Sequence, residues 1–130
     1  MRRVAITGFA IWAAATIALR LAGQFVFRSP LLLFLVSLPA MILVARAVLV
    51  RFRTARERAL AAIVLVAPGM LLDTISAAWF ASIFPNIRPD AAGLFGGWLL
   101  FCNVVVLLTA ISTGSEDRLD RRGPVIEDPL

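Results

Sequence analysis

The sequence has 130 residues, of which 61% are hydrophobic and only 16% charged, and it carries a formal net charge of +5. Soluble domains average about 45–50% apolar and about 25% charged residues, so a soluble chain of this size could not bury so much apolar surface. The sequence contains no His, which excludes imidazole metal ligands and histidine-dependent catalysis, and its single Cys102 excludes an internal disulfide.

Four apolar segments each have about the 20 residues that a helix needs to cross a bilayer. None of them alternates apolar and polar residues as a membrane β-strand does. We therefore predict an all-α fold, a bundle of four transmembrane helices within residues 1–112, followed by a polar, disordered cytoplasmic tail over residues 113–130. The predicted helices cover residues of about 4–27, 30–50, 58–84 and 91–112.

The first apolar segment also has features of a secretory signal peptide, since Arg2 and Arg3 precede its apolar core. The apolar run continues past Leu19, however, and no small-residue cleavage site follows it, so we expect a retained first helix. Arg20 interrupts this helix. Residues 16, 20 and 24 are Thr, Arg and Gln, and their four-residue spacing places them on one helix face.

Local signals mark the second and third helices. The sequence TARE at residues 54–57 matches a capping box, so the third helix is expected to begin a turn before it enters the bilayer. Pro39 lies inside the second predicted helix and Pro68, followed by Gly69, inside the third, where a kink is expected about one turn before Asp73. Prolines are common in membrane helices, so we favour a structural role for both.

The placement of the basic residues, all of which are Arg, predicts the orientation of the chain. Ten of them lie at the N-terminus, between the second and third helices or in the tail, whereas only Arg28 and Arg88 lie in the two opposite loops. This bias predicts cytoplasmic termini in a multi-pass protein, which we expect in the bacterial cytoplasmic (inner) membrane with anionic lipid headgroups at its cytoplasmic face. Topology thus accounts for the positive charge, and nucleic acid is not an expected partner.

Polar residues inside the predicted helices form a candidate site. Counting from the predicted outer helix ends places Arg20, Asp73 and Asn103 about 10, 16 and 18 Å deep, respectively. We predict an Arg20–Asp73 ion pair, because an unpaired charge inside the bilayer is costly and an Arg side chain can span the difference in depth. The predicted intramembrane polar cluster comprises Arg20, Gln24, Ser37, Asp73, Thr74 and Asn103.

Two interpretations of this cluster are open: a clamp that fixes helix register, or the floor of an outward-facing cavity that binds a small molecule, ion or lipid. We favour the clamp. The protein would then have a structural or accessory role, with its helices packed within one chain, in a homo-oligomer or in a larger membrane complex. The small-residue spacing of Gly93 and Gly97 suits such packing. The alternative is a binding protein or transporter. No cofactor and no enzymatic activity are expected, because Ser37, Thr74 and Ser76 have no His or Lys to activate them.

Three short motifs carry a resemblance to a known group of proteins: RLAGQFVF at residues 20–27, APGMLLD at 67–73 and FPN at 84–86. Over residues 3–111 the chain resembles small, four-helix bacterial membrane proteins with a domain of unknown function. The resemblance implies a fold without an assigned chemistry, and it directs interest to Arg20, Gln24, Asp73 and Asn86. The small multidrug exporters are similar in size alone. They carry a carboxylate in the first helix, where this chain has Arg, so drug–proton antiport is not expected.

Overall fold

The computed structural model describes residues 1–120, and from residue 114 onward it describes the backbone alone. Five α-helices and one short 3-10 helix follow one another, with no strand in these residues. Their bounds are Arg2–Val26 for α1, Pro30–Leu49 for α2, Ala55–Ala78 for α3, Phe80–Ile83 for α4, Pro89–Ala91 for the 3-10 helix and Ala92–Asp120 for α5.

Four of these helices, α1, α2, α3 and α5, are long and apolar enough to cross a membrane. Their apolar spans have 20–25 residues, and a helix rises about 1.5 Å per residue through a hydrocarbon layer of about 30 Å. Large apolar side chains remain on the surface, and Leu21, Leu31 and Leu71 are each more than 70% exposed. The predicted all-α class is confirmed, and the chain is a small multi-pass membrane protein.

The spanning helices pack in the order α1, α3, α5, α2. α1 and α2 are consecutive in the chain but barely touch each other, so a gap separates them along the bundle. α1 and α3 come together at Gly8, where a Cβ atom would overlap with the carbonyl oxygen of Leu65. Because glycine has no side chain, the two backbones can meet at this point.

Apolar side chains form two buried clusters, one at each end of the bundle. The first lies at the end that holds the α2–α3 connection, which we call the Arg58 end, and it includes Val4 of α1. The second lies at the opposite end, called the Arg88 end, and consists of Leu19, Phe80, Phe84, Ile87 and Phe95. The middle of the bundle, between these clusters, holds the polar side chains.

The predicted capping box at the start of the third helix is confirmed. The Thr54 hydroxyl accepts a hydrogen bond from the Glu57 amide at 3.1 Å, and the Glu57 carboxylate accepts one from the Thr54 amide at 3.3 Å. This capping box starts α3 at Ala55. α2 and α3 continue through Pro39 and Pro68, so neither proline ends its helix, and the kinks stay predictions.

The end of the third helix differs from the prediction. α3 ends at Ala78 instead of residue 84, and the single turn of α4 follows after Trp79. The segment after α4 folds back onto the last turns of α1, where the Asn86 amide donates a hydrogen bond to the carbonyl oxygen of Leu19 at 3.0 Å. The chain at the Arg88 end is therefore a packed layer rather than a simple loop.

The last helix extends beyond its predicted end at residue 112. α5 continues through Asp120, so residues 113–120 of the predicted disordered tail are helical. Extending an existing helix avoids the cost of nucleation, and the Arg58 guanidinium donates a hydrogen bond to the carbonyl oxygen of Thr113 at 2.7 Å. Residues 121–130 of the predicted tail lie outside the described residues.

Candidate functional site

A cavity of about 140 Å³ lies within the bundle, and all four spanning helices line it. Most of its wall is aliphatic or aromatic, with Trp12 from α1, Met41 from α2 and Trp98 from α5. Ile11 and Ala15 of α1 line the cavity and are also exposed, so the cavity reaches the surface of the bundle beside α1.

Asp73 brings a carboxylate to this apolar wall. One carboxylate oxygen, Oδ1, accepts a hydrogen bond from the indole nitrogen Nε1 of Trp12 at 3.0 Å. The Asn103 side chain also interacts with the carboxylate, while its amide donates to the carbonyl oxygen of Leu99. At Gly69, one turn before Asp73, an added Cβ would lie 3.8 Å from the Cβ of Trp12, which is an ordinary van der Waals contact, so this arrangement does not require glycine there.

A second polar pair lies across the cavity. The Ser37 hydroxyl is buried and accepts a hydrogen bond from the indole nitrogen of Trp98 at 2.7 Å. Cys102 lies one turn after Trp98 and also lines the cavity. Two polar pairs, one between α1 and α3 and one between α2 and α5, thus lie within an otherwise apolar bundle.

The predicted ion pair between Arg20 and Asp73 is absent. Arg20 is exposed, and within the described residues its guanidinium forms neither a hydrogen bond nor an ion pair. Arg20 follows the buried Leu19 by one position, about 100° around the helix, so the face that packs into the bundle turns Arg20 away from it.

The predicted offset in depth between the two charges, about 6 Å, is also too small. Asp73 is level with Trp12, which precedes Arg20 by eight residues, or about 12 Å along α1. The prediction counted along one straight helix to residue 84, whereas α3 ends at Ala78 and the segment after it folds back toward Leu19. The count from residue 84 therefore gave the wrong level for Asp73 relative to α1.

The remaining predicted residues do not reach the cavity wall around Asp73. Thr74 is exposed, and its hydroxyl donates to the carbonyl oxygen of Met70 at 3.0 Å. Gln24 is exposed at the Arg88 end, where its side-chain oxygen accepts a hydrogen bond from the Asn86 amide at 2.8 Å. Of the six predicted residues, Asp73 and Asn103 line the cavity, and Ser37 contacts it through Trp98. Arg20, Gln24 and Thr74 lie elsewhere.

The charge at Asp73 is the unusual feature of this site. An ionised Asp at the bilayer centre costs about 2.5–3.5 kcal/mol on insertion scales, and such residues face the bundle interior or a cavity. The hydrogen bond from Trp12 offsets part of this cost, and no cationic side chain among the described residues pairs with the carboxylate. No group of three His, Cys, Asp or Glu side chains in this part of the chain could hold a metal ion.

Trp12 is the site residue that the sequence analysis did not include. Its indole N–H needs an acceptor wherever water is excluded, and an indole in the middle of a span is therefore a signal for a buried acceptor nearby. Trp98 gives the same signal and has Ser37 as its acceptor.

Comparison with known proteins places the chain in a family. The model of a family of unknown function (DUF5367) matches residues 24–117, which is most of the sequence. The chain belongs to DUF5367. The part of the chain that matches DUF5367 includes Ser37, Asp73 and Asn103, whereas Trp12 and Arg20 precede it. Membership confirms the predicted resemblance to an uncharacterised membrane protein family. No curated protein and no solved structure matches the chain.

Proposed function

We propose that this DUF5367 protein binds a small amphipathic molecule, namely a short apolar body with an amine, and that the amine meets Asp73. The observation that carries the proposal is the carboxylate on the wall of an apolar cavity, unpaired with any described cation. The clamp interpretation rested on an Arg20 partner for Asp73. Without that partner, the charge calls for another explanation, and a ligand supplies one.

The chemistry of the cavity favours a cationic ligand. An ionised carboxylate can only accept hydrogen bonds, and the Trp12 indole uses one of its two oxygens. An ammonium group can donate to the other oxygen and neutralise the charge. The cavity also presents Trp12, Trp98 and Phe95, and aromatic faces attract cations.

The size of the cavity limits the ligand. Its volume of about 140 Å³ is close to the ~150 Å³ of an engineered apolar cavity that binds benzene in another protein. An aromatic ring or a short alkyl chain therefore fits inside. The opening of the cavity beside α1 faces the lipid, so a longer apolar tail can extend through it and the ligand can enter from the bilayer.

The orientation follows from the Arg distribution. With both termini and the α2–α3 connection in the cytoplasm, the Arg58 end faces anionic headgroups of the bacterial cytoplasmic membrane, and the Arg88 end faces outward. A protein that releases its ligand toward one side of the membrane would be a transporter. The proposed bound state at Asp73 is the same for a transporter and for a binding protein.

A structural or accessory role is the second candidate, and one observation favours it. Gly93, Gly96 and Gly97 of α5 have nothing within 4 Å of an added Cβ. This surface of α5 is therefore open to close approach by a helix of a second copy or of a larger membrane complex. Disulfide cross-linking between copies of a Gly97→Cys variant, prepared on a Cys102→Ala background, tests this candidate directly.

Ligand binding is tested with the purified protein in lipid nanodiscs and benzylamine as the probe. We expect saturable binding of benzylamine, measured by calorimetry and by tryptophan fluorescence. The affinity should fall roughly tenfold to a hundredfold in Asp73→Asn, which is the loss expected for a hydrogen bond to a charged group. Asp90→Asn is the matched control, because Asp90 is exposed and far from the cavity in an ion pair with Arg88. Equal affinities of the two variants for benzylamine would rule the proposal out.

A further inference from the structure

Arg20 is a charged side chain without a partner among the described residues. It lies six residues before the end of α1 at Val26, about 9 Å along the helix axis, and its side chain is exposed on the surface of the span. Lipid covers this surface, and its neighbours Ile17 and Leu21 are 61% and 73% exposed. A guanidinium at this depth extends toward the polar interface, where lipid phosphates lie.

A second unneutralised Arg lies above it. Arg28 follows the end of α1 and is exposed, and its guanidinium carbon lies 5.1 Å from the centre of the Phe25 ring. In contrast, Arg88 forms an ion pair with Asp90, with an N–O distance of 2.6 Å. Arg28 has no ion-pair partner in the described residues, so the positive charge of this region remains available.

The surface beside Arg28 is polar and concave. A pocket of about 600 Å³ lies between the end of α1 and the segment after α4, and its lining includes Gln24, Arg28 and Asn86 as well as the paired Arg88 and Asp90. Gln24 lies one turn above Arg20 on the same face of α1, and the hydrogen bond from Asn86 holds its side chain in place. A group that fills this space meets Arg28, and Arg20 lies one turn below Gln24, outside the pocket lining.

We propose that Arg20 and Arg28 bind the phosphate of one phospholipid at the Arg88 end, with its acyl chains along the exposed apolar surface of α1. The residues lie about two helical turns apart, and two long side chains that reach toward each other can meet one phosphate at the level of Gln24. Guanidinium groups suit this role, because their N–H groups match phosphate oxygens in charge and geometry. The site is separate from the Asp73 cavity and does not depend on the function proposed for it.

The test measures lipid retention by native mass spectrometry of the full-length protein, using dioleoylphosphatidylcholine as the probe, because this lipid has a phosphate but no net charge and so is not selected by the Arg residues at the Arg58 end. Dioleoylglycerol, which has the same acyl chains without a phosphate, is the matched lipid. We expect the phospholipid to bind roughly ten times more weakly to Arg20→Gln and Arg28→Gln than to the wild type, the ratio for the loss of one charge-assisted contact. Arg51→Gln, at the opposite end of the bundle, should bind it as the wild type does.

Arg28 lies outside the helix, so Arg28→Gln should fold even if Arg20→Gln does not, and it then decides the outcome by itself. Arg20→Lys should keep part of the affinity, because an ammonium group retains the charge but not the paired hydrogen bonds. The proposal is overturned if Arg28→Gln binds the phospholipid as tightly as Arg51→Gln does. Equal retention of dioleoylglycerol and the phospholipid by the wild type would overturn it as well.

Discussion

The contact between α1 and α3 at Gly8 makes a sharp prediction for the variant Gly8→Ala. The new methyl group would overlap with the carbonyl oxygen of Leu65 and lie 3.0 Å from its carbonyl carbon and 3.3 Å from its Cα atom. All three are backbone atoms of a helix and cannot turn aside as the end of a side chain can. The two helices must therefore move apart.

The expected loss of stability follows from two opposing effects. Inserting an atom into a well-packed contact costs about 1–3 kcal/mol, whereas replacing Gly by Ala within a helix gains about 0.5–1 kcal/mol. We expect a net loss of about 1–2 kcal/mol, which lowers the ratio of folded to unfolded protein roughly 5- to 30-fold. The movement also weakens the hydrogen bond between Trp12 and Asp73, because Trp12 is one turn further along α1.

Reversible unfolding in mixed detergent micelles, followed by circular dichroism, measures this loss. Gly97→Ala is the matched control, because an added Cβ at Gly97 meets nothing within 4 Å. Gly69→Ala is a second control, since its nearest contact would be 3.8 Å from the Cβ of Trp12. If Gly8→Ala unfolds at the same detergent composition as Gly97→Ala, the close approach of α1 and α3 does not exist as described.

Four further variants probe the ends of the bundle by the same unfolding assay. Thr54→Ala should cost about 1 kcal/mol through loss of the N-cap, whereas Glu57→Gln should cost less because Gln also serves in a capping box; equal losses would contradict the capping geometry. Gly23→Ala should lower the stability less than Gly8→Ala does, since its new methyl group meets the end of the flexible Ile87 side chain. A larger loss of stability would mean that Ile87 cannot move. Asn86→Leu should lower the free energy of unfolding by about 1–3 kcal/mol, because its hydrogen bonds to the Leu19 carbonyl oxygen and the Gln24 side chain are lost. An unchanged stability would show that the segment after α4 does not hold α1.

Much of the architecture could be predicted without coordinates. Span number and helical class depend on the length and apolarity of contiguous segments, and these are local properties of the chain. The capping box of α3 is equally local, because Thr54 and Glu57 need only each other and the intervening turn. Asp73 and Asn103 could be recognised as members of one site, since both are polar residues inside long apolar spans.

Only the tertiary structure decided which partner Asp73 has. The rotation of α1 depends on the sum of its contacts with the rest of the bundle, among them Gly8 against Leu65 and Leu19 against the aromatic cluster at the Arg88 end. That rotation directs Trp12 inward and Arg20 toward lipid, although both residues lie in the same helix. Contacts between the helices also place Asp73 level with Trp12 rather than with Arg20. Neither rotation nor depth is a local property, because each is fixed by side chains far apart in the sequence, and so composition and spacing alone could not supply them.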